Sequence, residues 1–441
     1  MRDSREIIII GGGLAGCEAA WHAAKNGMNV VLYEMKPTSF SSAHRSKNLG
    51  ELVCSNSLKS ESLESASGLL KEEMKRLGSL ILKAAYASRV PGGSALVVDR
   101  DQFSSYITEA IESETNICVV REEVSKISLD KAHIIASGPL SSESLTDEIK
   151  RLTGADNLSF YDAIAPIVAG DSINMDNIFM ASRYNKGGND YINCPLTRDE
   201  YFQFIEAVEE ADKVDLESFE DPHYFEGCVP IEELVRRGKE TLLFGPMKPV
   251  GLIDPKTGRE PFAVAQLRKE NVDGTMYNMV GFQTKMKWSE QNRVLRMIPG
   301  LEAAEFLRFG SLHRNTFINA PRLLLPTLQM KGVASTFFAG QIVGVEGYLE
   351  SAAMGILAGI NCSRYCLGHD IIIPPPTTAI GSLLSYITQC ESQCFQPMNM
   401  NFGLFPQFPN RVKKRHKKLM IVERAIRDLE EWIKRLQEVK D

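Results

Sequence analysis

The sequence predicts an α/β protein: a Rossmann-like nucleotide-binding domain, interrupted by an α+β insertion and followed by a C-terminal helical tail. Three observations carry this. The chain opens on a strand, a glycine-rich turn and a helix; a second strand, glycine turn and helix return near residue 340; and from about Phe160 to about Leu312 no clean alternation of strand and helix is present.

The elements follow in order. "EIIIIGGG" reads as a strand ending in a glycine turn, "LAGCEAAWHAAKNG" as an alanine-rich helix capped at Gly27, and "NVVLYE" as a second strand closed by Glu34. Residues 60 to 88 have a helical pattern, and "SALVVDRDQFSSYITEAIES" reads as a strand entering a helix. "CVVREEVSKISLD" and "KAHIIASGP" read as a hairpin followed by a buried strand. After the irregular middle comes "VASTFFAGQIVGVEGYLESAAMGILAGINCSRYCLG", again strand, glycine turn and helix. A proline linker, an irregular stretch rich in Phe and Pro, and a charged helix from about Lys417 complete the chain. These shifts divide it into a first part of the nucleotide-binding domain (1–190), an insertion domain (191–314), the second part of the nucleotide-binding domain (315–408) and a basic C-terminal helix (409–441).

Length and composition set the class. At 441 residues the chain is long enough for two or three domains. Hydrophobic residues at 44% and charged residues at 24% suit a soluble globular protein. Nowhere do 18 apolar residues follow one another, so neither a signal peptide nor a membrane span is expected. The nine cysteines are odd in number and scattered, which points to a reduced, cytoplasmic protein. Cys362 and Cys366, like Cys390 and Cys394, are spaced i,i+4 without a C-x-x-C knuckle, so they read as helical cysteines and no metal is expected. A net charge of −6 argues against wholesale nucleic-acid binding, but "RVKKRHKK" packs six Lys or Arg and one His into eight residues.

Gly11, Gly13 and Gly16 form G-x-G-x-x-G between a strand and a helix, with Glu34 18 residues after Gly16. Such glycines permit a tight turn, close approach of a pyrophosphate and close helix packing, and the acid is placed for a ribose diol. Gly11, Gly12, Gly13, Leu14, Ala15, Gly16 and Glu34 are therefore the candidate dinucleotide site. The turn carrying Gly340, Gln341 and Gly347 favours FAD over NAD as the resident nucleotide. FAD-binding domains of the glutathione-reductase type use a late strand-turn-helix whose helix N-terminus faces pyrophosphate and flavin.

Longer motifs go further. "GGGLAGCEAA", "ELVCSNSLKS", "VPGGSALVVDRDQFS", "SRYNKGGNDYINCP", "FEGCVPIEELVRRG", "TLLFGPMKPVGL", "RFGSLHRNTFINAP" and "FAGQIVGVEGYLESAAMG" resemble the folate- and FAD-dependent tRNA (uracil-5-)-methyltransferase family, TrmFO, over most of the chain. The related GidA (MnmG) flavoproteins share the glycine-glutamine turn but are longer at the C-terminus. The resemblance implies FAD, methylenetetrahydrofolate and NADPH or NADH, and formation of 5-methyluridine at uridine 54 of the tRNA T-loop; it implies no membrane and no stable protein partner. C5 of uracil is a weak nucleophile until a thiolate adds at C6, and a base must remove the C5 proton. Cys54 and Cys228 are the two family cysteines. Cys228 precedes a helix start with Pro230 near its first position and Glu232 and Glu233 in the first turn, where exposed N–H groups favour a thiolate. Cys228 is assigned to C6 and Cys54 to the flavin side as base or methylene relay; the reverse division stays open.

Arg183, Lys186, His313, Arg314 and Asn315 stand in family-like polar stretches, placed to hold folate, flavin or phosphate. His313 reads equally as an acid-base group or a hydrogen-bonded structural histidine. Lys413, Lys414 and Arg415 read as RNA phosphate contacts beside the plainer reading of a solvated helix start. The target base would have to be unstacked, and Tyr348, Phe282 and Trp288 are candidate stacking partners, a core position being the simpler reading for each. Three other functions remain in view: the same reaction on a ribosomal RNA uridine; an NAD(P)H-dependent flavin oxidoreductase without RNA, which would tolerate loss of both cysteines; and a non-catalytic RNA-binding flavoprotein, which would give no folate-dependent product.

Overall fold

Strand Glu6–Ile10 carries only isoleucine after its first residue, the composition of a parallel strand covered on both faces. It lies inside a six-stranded sheet ordered Gln329–Met330, Val333–Phe338, Ala132–Ile135, Glu6–Ile10, Asn29–Tyr33, Ile117–Val120. The inner pairings are parallel, with Ile8 opposite both Val31 and His133, and Phe337 opposite Ile134. The structure is a computed structural model and describes residues 5–41, 43–154, 158–214, 224, 229–393, 395–410 and 413–438.

Helices Leu14–Lys25 and Tyr348–Cys366 bring the two glycine turns together. Their backbones meet because small residues face each other: a Cβ on Gly355 would lie 2.2 Å from the Ala15 carbonyl oxygen, and one on Gly359 2.6 Å from that of Ala19. Two buried glutamates cap distant helices. Glu18 accepts from Leu80 N (3.1 Å) and Ile81 N (3.0 Å) at the start of Leu80–Ala87, and Glu73 accepts from Ala379 N (2.6 Å) and Ile380 N (2.9 Å) at the start of Ala379–Gln389.

The irregular middle forms a second six-stranded, antiparallel sheet ordered Phe179–Met180, Tyr191–Leu196, Ala263–Lys269, Met276–Met279, Ile167–Ala169, Phe306–Arg308. Two of its strands precede position 191. It has its own core, with Tyr201, Phe204 and Phe282 fully buried. An antiparallel ladder of Leu158–Ile164 and Ser311–Phe317 joins this sheet to the nucleotide-binding part, pairing Ile164 with Ser311 and Leu158 with Phe317.

Several expectations need correction. The hairpin after Cys118 is absent: Ile117–Val120 pairs in parallel with Asn29–Tyr33, and Ile127 N donates to the Glu148 carboxylate at 2.9 Å instead of to a partner strand. Residues 60 to 88 hold two helices, Ala66–Arg76 and Leu80–Ala87, separated at Gly78, where φ is +84°. The stretch beyond the proline linker contains the helix Ala379–Gln389. The C-terminal helix begins at Lys414 and buries Ile421, Val422, Ala425, Leu429 and Trp432 along one face, with Trp432 Nε1 donating to Ile372 O at 2.8 Å.

Candidate active site

The first glycine turn opens onto a cavity of about 80 Å³ lined by Gly11, Gly12, Gly13, Glu34 and Ser137. A Cβ on Gly11 would lie 2.6 Å from Ala136 O and one on Gly16 1.8 Å from Gly11 O, so both positions demand glycine. At Gly13 a Cβ would meet nothing within 4 Å, so this N-cap residue faces open space with no side chain capping the helix N–H groups. That is the cradle a pyrophosphate needs. Glu34 accepts from Gly12 N (2.9 Å) and Lys36 N (3.0 Å), which fixes its carboxylate at the cavity wall with lone pairs left for a diol. Leu14, Ala15 and Gly16 lie in the buried first turn and line neither cavity.

Leu140 is shared with a second cavity of about 330 Å³, lined among others by Cys54, Arg268, His313, Gln341, Gly347 and Tyr348. The two cavities therefore adjoin at Leu140, the small one beside Glu34 and the wide one beside Cys54. Gly340 turns the chain at φ +84°, and Gln341 Nε2 donates to the Glu346 carboxylate at 2.6 Å.

Cys54 stands in the wide cavity. Its Sγ is 3.0 Å from the Tyr348 hydroxyl, whose oxygen accepts from Cys54 N (2.9 Å) and Ser55 N (3.2 Å). With two N–H donors on its oxygen, the phenol directs its proton at the sulfur. Burial, and then the neighbouring Cys54, push the Tyr348 pKa well above the usual tyrosine range, so the hydroxyl stays a donor. The loop is braced by two guanidiniums. Arg100, ion-paired with Glu270, donates to Leu52 O (2.6 Å) and Cys54 O (3.3 Å), while buried Arg268 donates to Asn56 Oδ1 (2.9 Å) and Ser55 Oγ (3.0 Å). Arg100, Arg268 and Arg308 all interact electrostatically with Cys54, and positive charge of this kind favours a nucleophilic thiolate.

His313 and Asn315 line the same cavity from the bridging ladder. Burial, reinforced by Arg308 and Arg45, lowers the His313 pKa to about 4; its Nε2 is 2.8 Å from Ser311 Oγ. His313 is thus a neutral imidazole at physiological pH. His44, on the smaller cavity, is also lowered to about 4 by burial and by Lys36.

Other sequence candidates lie apart. Arg183 donates to Gln266 Oε1 (3.0 Å) and Val250 O (2.9 Å) and, like exposed Lys186, lines neither cavity. Arg314 lies in the ladder, its side chain outside those described, as are the side chains of Lys414 and Arg415; Lys413 is exposed. Cys228 lies outside the described residues. The helix after it, Ile231–Arg237, has Pro230 as its N-cap residue and not its first helical one, with Glu232 and Glu233 in the first turn. Sequence reasoning gave no role to Arg100, Arg268 or Arg308, although Arg100 and Arg308 stand in the quoted motifs, and weighed Tyr348 as a stacking ring against the simpler reading of a core position. Tyr348 also carried a local signal, its place directly after Gly347.

Comparison with known proteins adds identity to this geometry. A family model described as glucose inhibited division protein A matches residues 6–370. A Geobacter sulfurreducens protein named methylenetetrahydrofolate-tRNA-(uracil-5-)-methyltransferase TrmFO is 59% identical over 428 residues, 97% of this chain and 98% of the relative. A protein of that name from Heliobacterium modesticaldum is 56% identical, again covering 97% of this chain and 98% of the relative. The solved structure of Aquifex aeolicus GidA in its form I crystal shares the fold, with a TM-score of 0.68 and 18% identity over 99% of this chain and 78% of that one.

Proposed function

The chain belongs to the TrmFO family of glucose inhibited division protein A proteins, and on that premise we propose how it works as a methylenetetrahydrofolate- and FAD-dependent tRNA (uracil-5-)-methyltransferase. The enzyme converts a T-loop uridine to 5-methyluridine: the carbon comes from methylenetetrahydrofolate, NADPH or NADH supplies a hydride, and the C5 hydrogen leaves as a proton. FAD, when bound, supplies redox and one-carbon transfer between folate and base. Gly11 to Gly13 and the helix N-terminus behind them hold its pyrophosphate, Glu34 its ribose, and Gln341 and Gly347 the flavin end.

A thiolate adds to C6 of the uracil, which makes C5 nucleophilic, and is expelled once the C5 proton has been removed. We assign that addition to Cys228 and the proton to Cys54, whose sulfur exchanges a hydrogen bond with the Tyr348 hydroxyl. Neutral His313, with Asn315 and Arg314, contacts folate or base, while Arg183, Lys186, Lys413, Lys414 and Arg415 serve the polyanionic substrate. The enzyme works in the cytoplasm beside its tRNA; no helix among the described residues is long and apolar enough to cross a membrane.

The observation that carries this reading is Cys54 Sγ held 3.0 Å from the Tyr348 hydroxyl inside the wide cavity that adjoins the one at the dinucleotide turn. The test incubates yellow protein with unmodified tRNA transcript, methylenetetrahydrofolate and NADPH, and counts 5-methyluridine by mass spectrometry for wild type, Cys54→Ala and Cys228→Ala. Product from wild type alone supports the two-thiol assignment. Product on ribosomal RNA only would change the substrate, and flavin turnover without product on either RNA would leave a plain oxidoreductase.

A further inference from the structure

Of the aromatics considered as stacking partners, Phe282 is fully buried but Trp288 is 64% exposed. Trp288 is not alone. Its ring stacks on Phe309 with centroids 5.6 Å apart and planes 18° from parallel, and Phe309 stacks in turn on Phe306 at 5.6 Å and 21°. With one face on Phe309 and most of its surface in solvent, Trp288 offers its other face to a planar ligand.

The trio is rigidly mounted. Gln291, buried on the helix that Trp288 begins, accepts from Gly310 N (2.8 Å) and donates to Gly310 O (2.9 Å) and Met286 O (2.8 Å), which ties the helix to the turn after Phe309. A β-bulge between Phe306 and Arg308 re-aims the strand there, and leaves Leu307 48% exposed. Beyond the bulge Arg308 reaches Ala43 O at 3.5 Å, and Ala43 lines the cavity that holds Cys54. Arg308 and exposed Arg45 both act electrostatically on His313; Arg45 N donates to Glu51 Oε1 at 2.7 Å, and neither guanidinium is ion-paired with a carboxylate among the described residues. Arg308 thus stands directly before Phe309 in the chain and reaches the cavity lining through Ala43, and Arg45, two residues after Ala43, acts on the same His313.

We propose that Trp288, mounted on Phe309 and Phe306, forms with Arg308 and Arg45 a stacking platform for an unpaired nucleotide flanking the uridine that is methylated. The inference rests on the functional reading above and deepens it. A base whose neighbours must be unstacked before it enters a pocket loses stacking energy, and an exposed aromatic ring returns part of it without regard to sequence. The guanidiniums meet the phosphates on either side of the extruded base.

The experiment measures affinity for a fluorescein-labelled unmodified tRNA transcript by anisotropy, and KM for the same tRNA, in wild type, Trp288→Ala, Phe309→Ala and Trp288→Phe. Flavin absorbance and Tm check that each variant folds. The expected result is a rise in Kd and KM for tRNA of roughly 5- to 150-fold in Trp288→Ala, the range of one lost base stack, and a smaller rise in Phe309→Ala, which removes the ring that mounts Trp288. KM for methylenetetrahydrofolate stays put and Trp288→Phe restores most of the affinity. Tight wild-type binding untouched by both alanine substitutions overturns the platform alone, as does a change in molar mass of Trp288→Ala by light scattering, which would make the trio a contact between copies. Wild-type protein that neither binds nor methylates tRNA would overturn the functional reading and the platform with it.

Discussion

At the scale of single residues, the proposed mechanism turns on two sulfurs, those of Cys228 and Cys54, and on the Tyr348 hydroxyl beside the second. Replacing Tyr348 by Phe keeps the ring and removes the donor 3.0 Å from Cys54 Sγ. Hydrogen bonds to charged groups contribute about 1.5–3 kcal/mol, so we expect product formation in single turnover to slow roughly 10- to 150-fold while FAD stays bound. A Tyr348→Phe rate within twofold of wild type would contradict the assignment. His313 gives a second prediction. Its pKa is about 4 in the folded state against an ordinary 6.5. Between those values the unfolded chain binds a proton that the native state does not, so the stability from a neutral His313 is whole above about pH 6.5 and declines as pH falls toward 4. Tm should therefore drop on going from pH 7 to pH 5, and His313→Asn should flatten part of the drop, the rest belonging in part to His44.

At the scale of elements the helix pair Leu14–Lys25 and Tyr348–Cys366 couples packing to the cofactor. A Cβ added by Gly355→Ala would meet the Ala15 carbonyl oxygen at 2.2 Å, so one helix must shift. Overpacking of this sort costs about 1–3 kcal/mol. Because Ala15 is in the first turn of the helix whose N-terminus is proposed to hold the pyrophosphate, calorimetry should show both a lower Tm and weaker FAD binding; a variant with an unchanged FAD Kd would show that the two helices are not coupled. The β-α-β unit and the late glycine turn were legible in the sequence because periodicity and glycine spacing are local signals. The helix Ala379–Gln389 was passed over although Thr378 caps it locally by accepting from Gly381 N at 2.9 Å; what the sequence could not show is that Glu73, on a distant element, satisfies its first two N–H groups. The misread hairpin after Cys118 shows the same limit: alternation in "REEVSKIS" described an extended segment, and only tertiary context reveals that no strand pairs with it.

At the scale of the molecule, two separately packed cores meet at the wide cavity, with chemistry at the junction. Glycine spacing and family motifs singled out the turns, Cys54 and His313, whereas Arg100, Arg268 and Arg308 come from three different elements and their nearness to Cys54 is visible only in the fold. A net charge of −6 makes binding of a polyanion depend on local basic surface. Replacing Lys413, Lys414 and Arg415 by Gln should weaken tRNA binding and reduce the slope of log K against log salt, by roughly 0.7 to 0.9 for each phosphate no longer neutralised. An unchanged slope would mean that this segment is only a solvated helix start. The most direct test of the mechanism is isotopic: wild-type protein with unmodified tRNA, methylenetetrahydrofolate labelled with carbon-13 in its methylene group, and NADPH carrying transferable deuterium. The expected product is 5-methyluridine at a T-loop position whose methyl carbon is carbon-13, with none from Cys54→Ala that still binds FAD. Unlabelled methyl carbon, or labelled product from Cys54→Ala at the wild-type rate, would contradict it.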